Sequence, residues 1–102
     1  EEIRNHPDTW FGRGTKFKLL SEHDMSNTPV PETYMLADSR EDGYAFQIIA
    51  ISGHNSGAIE GYIKNQPEAT QARIRGVTKE HFISELKRNF SFDESTLDIL
   101  GS

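Results

Sequence analysis

The chain has 102 residues, 34% hydrophobic and 26% charged, and this length supports one hydrophobic core, so we expect a single domain over residues 1–102. It contains no cysteine, which excludes a disulfide framework and a thiolate zinc site and fits a reducing, cytoplasmic environment. Its longest apolar run is far shorter than the about 20 residues of a membrane-spanning helix, and its net charge of −5 argues against nucleic acid as a partner.

The first predicted strand covers residues 15–20. Its side chains alternate, with Phe17 and Leu19 on one face and lysines on the other, which is typical of a strand with one wet face. Upstream, Trp10 and Phe11 precede a glycine-rich break. We expect both aromatic side chains to be buried, because a chain this short needs its large side chains for the core.

Two further strands are predicted in the middle of the chain. A polar stretch at 21–32 is interpreted as a loop and leads into strands at 33–37 and 44–52. Between them, Asp42-Gly43 is a typical turn pair, because glycine adopts positive φ without strain. The isoleucines of the second strand alternate onto both of its faces, which predicts a central strand covered on both sides over part of its length.

A hairpin is predicted next. The glycine-rich loop at 53–57 leads into a returning strand at 58–64. Within that strand, Gly61 either weakens the pairing or lets another group pack closely. The segment 65–76 stays ambiguous between a helical turn and an edge strand, because Pro67 excludes only a central strand.

The clearest helix begins after Thr78, which is a good N-cap, and it carries Glu80 in the first turn, where the helix dipole favours an acid. A second short helix is expected at 93–100, with Leu97 and Leu100 facing inward. The apolar stripe of the first helix comprises Phe82, Ile83, Leu86 and Phe90.

Strands followed by a helix predict an α+β fold. We expect an antiparallel sheet of about four strands with the amphipathic helix packed on one face. The four histidines are not spaced as zinc ligands, and the adjacent acids at 41–42 and 93–94 lie in predicted turns without apolar surroundings. The sequence therefore predicts no catalytic residues, no metal and no cofactor, and we expect a protein that is not an enzyme.

A resemblance to a known family rests on strand and turn features between residues 33 and 90. The features are Thr33–Ala37, Gly43–Ile49, Ser52-Gly53, Gly57–Ile59, Pro67–Ala69 and the amphipathic helix. In this pattern the chain resembles the small immunity proteins of bacterial polymorphic-toxin systems, including those of contact-dependent growth inhibition. The resemblance implies an acidic, cytoplasmic α+β domain that binds a cognate toxin stoichiometrically, without catalysis.

The acidic side chains are concentrated at 21–42, where six acids face one arginine. Such a segment attracts a basic partner, for example a nuclease toxin with a basic cleft. The candidate partner-binding residues are Glu22, Asp24, Asp38, Glu41 and Asp42, with Trp10 and Tyr34 as candidate aromatic anchors.

Two other interpretations stay open. Charge runs are usually solvated surface, and the acids of 21–42 are also explained as surface that keeps the chain soluble. The chain is also compatible with a small ligand-binding or accessory domain of a larger enzyme system, with its pocket between sheet and helix.

Overall fold

The computed structural model describes residues 10–20, 31–53, 56–67, 69 and 76–101. Glu22, Asp24, the centre of the 53–57 loop and most of the ambiguous 65–76 segment lie outside the described residues. The strands are β1 (Trp10–Phe11), β2 (Lys16–Leu19), β3 (Glu32–Asp38), β4 (Tyr44–Ala50), β5 (Ile59–Lys64), β6 (Val77–Thr78) and β7 (Asp98–Gly101), and the helix α1 is Lys79–Asn89.

Five strands form one antiparallel sheet in the order β5-β4-β3-β2-β7, and β1 pairs with β6 in a separate two-stranded ribbon. The predicted hairpin is confirmed, with Tyr44 opposite Lys64 and Ile49 opposite Ile59. The helix contacts β5, β6 and β1. The α+β prediction is therefore confirmed, with one strand more in the sheet than the expected four.

The extra strand is β7, where a helix was expected. A 3-10 turn at Glu94–Thr96 is capped by the carboxylate of Asp93, which accepts a hydrogen bond from a backbone N–H of the turn at 3.0 Å. Beyond the turn, Leu97 and Ile99 are buried whereas Leu100 is 48% exposed. The helix prediction, with Leu97 and Leu100 both inward, is wrong because the buried side chains recur at every second residue, as they do in a strand.

The core lies between α1 and one face of the sheet. The Phe17 ring from β2 meets the Phe82 ring of α1 edge-on, with 5.3 Å between ring centroids. The Phe11 ring from β1 also packs against Phe82, with 5.2 Å between ring centroids. Leu86 is fully buried and Phe90 is half-buried against the cluster. The predicted apolar stripe therefore packs on the sheet as expected.

The opposite face of the sheet is only partly covered. Ile48 on the helix side is fully buried, but Ile49 is half-buried and Ile51 is 37% exposed. β4 is a central strand as predicted, and its second face is only half-covered at Ile49, because α1 packs on the other face. Ile49 instead gains shelter from its cross-strand neighbours, Met35 on β3 and Ile59 on β5.

The helix begins where the sequence predicts. The Oγ1 of Thr78 accepts a hydrogen bond from the His81 N–H at 3.3 Å, so Thr78 is the N-cap. The side chain of Gln66 holds the cap in place, because its Oε1 accepts from the Thr78 N–H at 2.8 Å and its Nε2 donates to Thr78 Oγ1 at 3.1 Å. The chain that leaves β5 is thereby tied to the start of α1.

Along β5, polar side chains of α1 bond to the backbone of the strand. Asn89 Oδ1 accepts from the Tyr62 N–H at 3.3 Å, and Asn89 Nδ2 donates to the Tyr62 carbonyl at 2.9 Å. Two residues along the strand, Glu85 Oε1 accepts from the Lys64 N–H at 2.7 Å, and His81 Nε2 donates to the Lys64 carbonyl at 2.8 Å. These helix side chains, four residues apart, take the place of a neighbouring strand.

Gly61 makes this close approach possible. A Cβ placed on Gly61 would overlap the amide of Asn89, so β5 and α1 come together at a position where only glycine leaves room. This confirms the close-packing interpretation of Gly61.

Glu85 is a buried carboxylate, and both of its oxygens accept hydrogen bonds. It is 7% exposed, and Arg88 donates to both of its oxygens, at 3.0 Å to Oε1 and at 3.2 Å to Oε2. Burial by itself raises the pKa of the Glu85 carboxyl, whereas hydrogen bonds from Arg88 and from the Lys64 N–H lower it, and the net pKa lies below the usual 4.5. The carboxylate therefore stays ionised in the folded protein at neutral pH.

Removal of the Leu86 side chain tests the docking of α1. Because Leu86 is fully buried, Leu86→Ala should lower the free energy of unfolding by about 2–5 kcal/mol, measured by urea denaturation. Ser84→Ala on the exposed side of the same helix is the control. A loss well below about 1 kcal/mol in the Leu86 variant would mean that the helix is not docked on the sheet.

Gly61→Ala should be destabilising by about 1–3 kcal/mol, because the new methyl group displaces the Asn89 amide. The cost should depend on Asn89. In an Asn89→Ala background the amide is absent and the added methyl meets the Cβ of residue 89 at 3.2 Å instead, so Gly61→Ala should then cost less than half as much as it does in the wild type. Chemical denaturation of the four proteins of this cycle gives the coupling. Additive effects would contradict the contact.

Glu85 should make stability depend on acid pH. Its folded pKa is lower than its unfolded value of about 4.5, so the ionised carboxylate stabilises the fold above that value, and the contribution is lost as the pH falls through the folded pKa. Between about pH 7 and pH 3, the free energy of unfolding of Glu85→Gln should therefore fall less steeply than that of the wild type. Glu80→Gln on the same helix is the matched control, and equal slopes in wild type and Glu85→Gln would contradict the assignment.

Candidate functional site

The turn between β3 and β4 presents three exposed carboxylates. Asp38 ends β3, and Glu41 and Asp42 follow in the turn. The turn is held by the Ser39 Oγ, which accepts from the Glu41 N–H at 3.0 Å, and it closes at Gly43 with the predicted positive φ, +86°. Within the described ranges, the carboxylates of Glu41 and Asp42 form no ion pair, so they are available to a partner.

Asp38 is paired across the fold. Arg13 Nη1 donates to Asp38 Oδ2 at 3.1 Å, and the two side chains are 71% and 61% exposed. With Arg40 also in the turn, the three described acids at this end face two arginines and leave a local charge of −1. The described part of the 21–42 segment is thus less acidic than its sequence alone indicates. The fold brings Arg13, which is 25 residues away in the chain, next to Asp38.

The backbone that carries Arg13 is fixed to β3. The Gly14 N–H donates to the Leu36 carbonyl at 2.8 Å, and Thr15 bonds to the Gly12 carbonyl through its hydroxyl at 2.8 Å. Gly14 adopts a φ of +90°, which glycine tolerates without strain. The segment interpreted as a flexible break is therefore a defined turn.

A small cleft opens beside the Arg13–Asp38 pair. Its volume is about 230 Å³, and it is lined by Gly12, Arg13, Asp38 and Phe46. Phe46 is 4% exposed, so it forms the apolar inner wall, while the two exposed charged side chains form the rim. Pockets for small molecules and cofactors usually measure about 300–1,000 Å³. This cleft is smaller than that range and matches a single side chain of a partner.

Trp10 is more exposed than expected. Its side chain is 39% exposed whereas Phe11 is 1% exposed, because β1 has one side facing the core and neighbouring side chains of a strand point in opposite directions. The expectation of burial is correct for Phe11 and wrong for Trp10. Trp10 precedes the cleft residue Gly12 by two positions, at most about 7 Å along the chain, so it stays a candidate anchor.

Tyr34, in contrast, belongs to the core. It is 5% exposed, and its ring packs 5.6 Å from Phe17 and 5.2 Å from Phe90. Its hydroxyl donates to Glu32 Oε2 at 3.2 Å, and burial, together with the Glu32 charge, raises the pKa of Tyr34. This burial removes Tyr34 from the aromatic side chains that a partner can reach.

A second exposed feature is an apolar row on the sheet face opposite α1. Met35, Ile49 and Ile59 lie opposite one another on β3, β4 and β5, and Ile59 is 51% exposed. Lys16 of β2 continues the row beyond Met35. Met35 and Ile49 are half-buried beside the exposed Ile59, and contiguous apolar surface of this kind marks places that bind other proteins. The row was not predicted from the sequence, although the apolar alternation onto both faces of β4 was its signal.

The predicted site residues thus fall into three groups. Asp38, Glu41 and Asp42 come together at the β3–β4 turn, and Trp10 lies two residues before Gly12, which lines the cleft beside that turn. Tyr34 lies apart from them in the core. Glu22 and Asp24 are outside the described residues.

In the part of the chain that the structure describes, no group of three or more metal-ligating side chains is placed to hold a metal ion. The helices described are too short and too polar to cross a membrane.

Comparisons with known proteins give no further guidance. Neither the protein-family models, nor the curated proteins, nor the solved structures that were searched contain a match to this chain. The turn, the cleft and the apolar row are therefore the features of the molecule that bear on its function.

Proposed function

We propose that this chain is an immunity protein, which binds a cognate bacterial toxin domain and neutralises it by stoichiometric protein–protein contact. The observation that carries the proposal is the ordered β3–β4 turn with the exposed carboxylates of Asp38, Glu41 and Asp42. Acids held on a rigid turn present a fixed negative surface to a basic partner, which accelerates and orients its approach. A nuclease toxin with a basic cleft is such a partner, and the cytoplasm is where protection against it is needed.

The apolar row favours a protein as the partner. Charges at the edge of an interface chiefly affect the association rate, while apolar side chains supply area that is removed from water. Met35 is three residues from Asp38, about 10 Å along β3. One protein surface is large enough to contact the row and the end of the same hairpin.

The alternative of a ligand pocket between sheet and helix is less well supported. Phe17 and Phe82 meet there with ring centroids 5.3 Å apart, and Leu86 is fully buried in the same layer. Packed side chains fill the space in which such a ligand would lie. The turn, the cleft and the apolar row all lie outside this layer between sheet and helix.

The proposal is tested with the toxin domain encoded by the gene adjacent to that of this chain. Bacteria that produce the toxin domain should resume growth when the chain is produced with it, and the purified proteins should form a complex of one copy each by light scattering. A toxin domain that kills equally well in the presence of the chain and forms no complex with it would contradict the proposal.

Charge reversal on the turn should slow the encounter. The triple variant Asp38→Lys, Glu41→Lys and Asp42→Lys changes the local charge by about six units, so the association rate with the toxin domain should fall at least about tenfold at low salt. The difference should shrink near 1 M salt, where the Debye length is about 3 Å. Stopped-flow fluorescence gives the rates.

A control separates this local effect from net charge. Glu41→Lys and Asp93→Lys change the charge equally, but Asp93 is an exposed residue beyond the C-terminal end of α1. The turn lies near the start of α1 instead, since Asn65 bonds to Gly43 of the turn and its neighbour Lys64 bonds to His81. Only the Glu41 variant should slow association markedly. Equal rates in both variants would place the interface elsewhere.

A further inference from the structure

We propose that the cleft beside the β3–β4 turn is a binding site for an arginine side chain, and that Arg13 occupies part of it as an internal competitor. The inference rests on the proposed function in one respect, since the arginine would be supplied by the basic partner. Among the residues that the structure describes, the cleft is lined by Gly12, Arg13, Asp38 and Phe46.

The size of the cleft fits one arginine side chain. At about 30 Å³ per water, 230 Å³ corresponds to roughly eight water molecules, which is room enough for the seven non-hydrogen atoms of an arginine side chain. The inner wall is Phe46, a largely buried apolar residue, against which the methylene groups of an arginine can pack. The charged end then remains at the rim, as is usual for long cationic side chains.

Asp38 has bonding capacity left for a guanidinium group. In the part of the chain that the structure describes, the Asp38 carboxylate accepts one hydrogen bond, from Arg13 Nη1 to Oδ2. A carboxylate can accept two parallel bonds from the planar fork of an arginine, whereas a lysine offers a compact point charge. Arg13 makes only one of these two hydrogen bonds to Asp38. An incoming arginine can make both.

Arg13 can leave without disturbing the fold. The ion pair with Asp38 is well exposed on both sides, and pairs of this kind contribute little to stability. The backbone on either side of Arg13 is fixed independently, by the bonds of Gly14 to Leu36 and of Thr15 to Gly12. The exchange of one guanidinium for another is thus a side-chain movement on a rigid turn.

The test uses small probes, so that it does not depend on the toxin. The N-acetyl amides of arginine and of lysine are titrated into the 15N-labelled chain and followed by NMR. The arginine probe should cause saturable shifts of the Gly12, Asp38 and Phe46 amide signals, larger than those of the lysine probe. In Arg13→Ala, the dissociation constant of the arginine probe should fall about two- to fivefold, the range expected for loss of an exposed competing pair.

Two variants complete the test. Asp38→Asn should abolish the localised shifts while the dispersion of the remaining signals shows an intact fold. Lys87→Ala removes the same charge as Arg13→Ala from an exposed position on α1 and should leave the dissociation constant unchanged. Absence of localised shifts in Arg13→Ala, equal shifts with both probes, or equal strengthening by Lys87→Ala would each overturn the proposal.

The outcomes separate this inference from the proposed function. A chain that binds the arginine probe but no toxin domain keeps the site and refutes the immunity function. A chain that binds the toxin domain with an affinity unchanged by both Arg13→Ala and Asp38→Asn keeps the immunity function and refutes this role of the cleft.

Discussion

The structure depends on how α1 satisfies the backbone of β5. An edge strand exposes N–H and C=O groups that require partners, and here Asn89, Glu85 and His81 supply them at successive turns of the helix. These bonds fix the helix along the strand, and this alignment directs Phe82 and Leu86 onto the sheet. Gln66 and the Thr78 cap extend the same attachment to the start of α1. The polar contacts set the position of the helix, and the buried apolar side chains make that position stable.

The elements recovered from the sequence are those with a local signal. Alternation identified β2, the hairpin of β4 and β5 was marked by its loop, and the cap at Thr78 marked the start of α1. The elements that were predicted wrongly are those that depend on contacts between residues far apart in the sequence. β7 is a strand because β2 offers it a ladder, with Ile99 opposite Phe17, and a short apolar segment alone does not show which partner it will find.

The candidate site shows the same division. The sequence placed Glu41 and Asp42 in the turn correctly, because Asp-Gly turns have a local signature, whereas Asp38, expected in the turn, is the last residue of β3. It gave no sign that Arg13 lies beside Asp38, since an ion pair between residues 25 positions apart exists only after β2 and β3 are adjacent. For the same reason, Glu85 and Asn89 resemble ordinary solvated residues of a helix until β5 lies next to them.

The occupied edge at β5 also limits how copies of this chain can associate. Growth of a continuous sheet from molecule to molecule needs two available edges on each copy, one to accept a strand and one to offer it. In the described fold, the backbone of Tyr62 and Lys64 is already bonded to side chains of the same molecule. Two copies that pair through their β7 edges would therefore have no second edge available to add a third copy. By occupying the β5 edge, the helix prevents open-ended polymerisation.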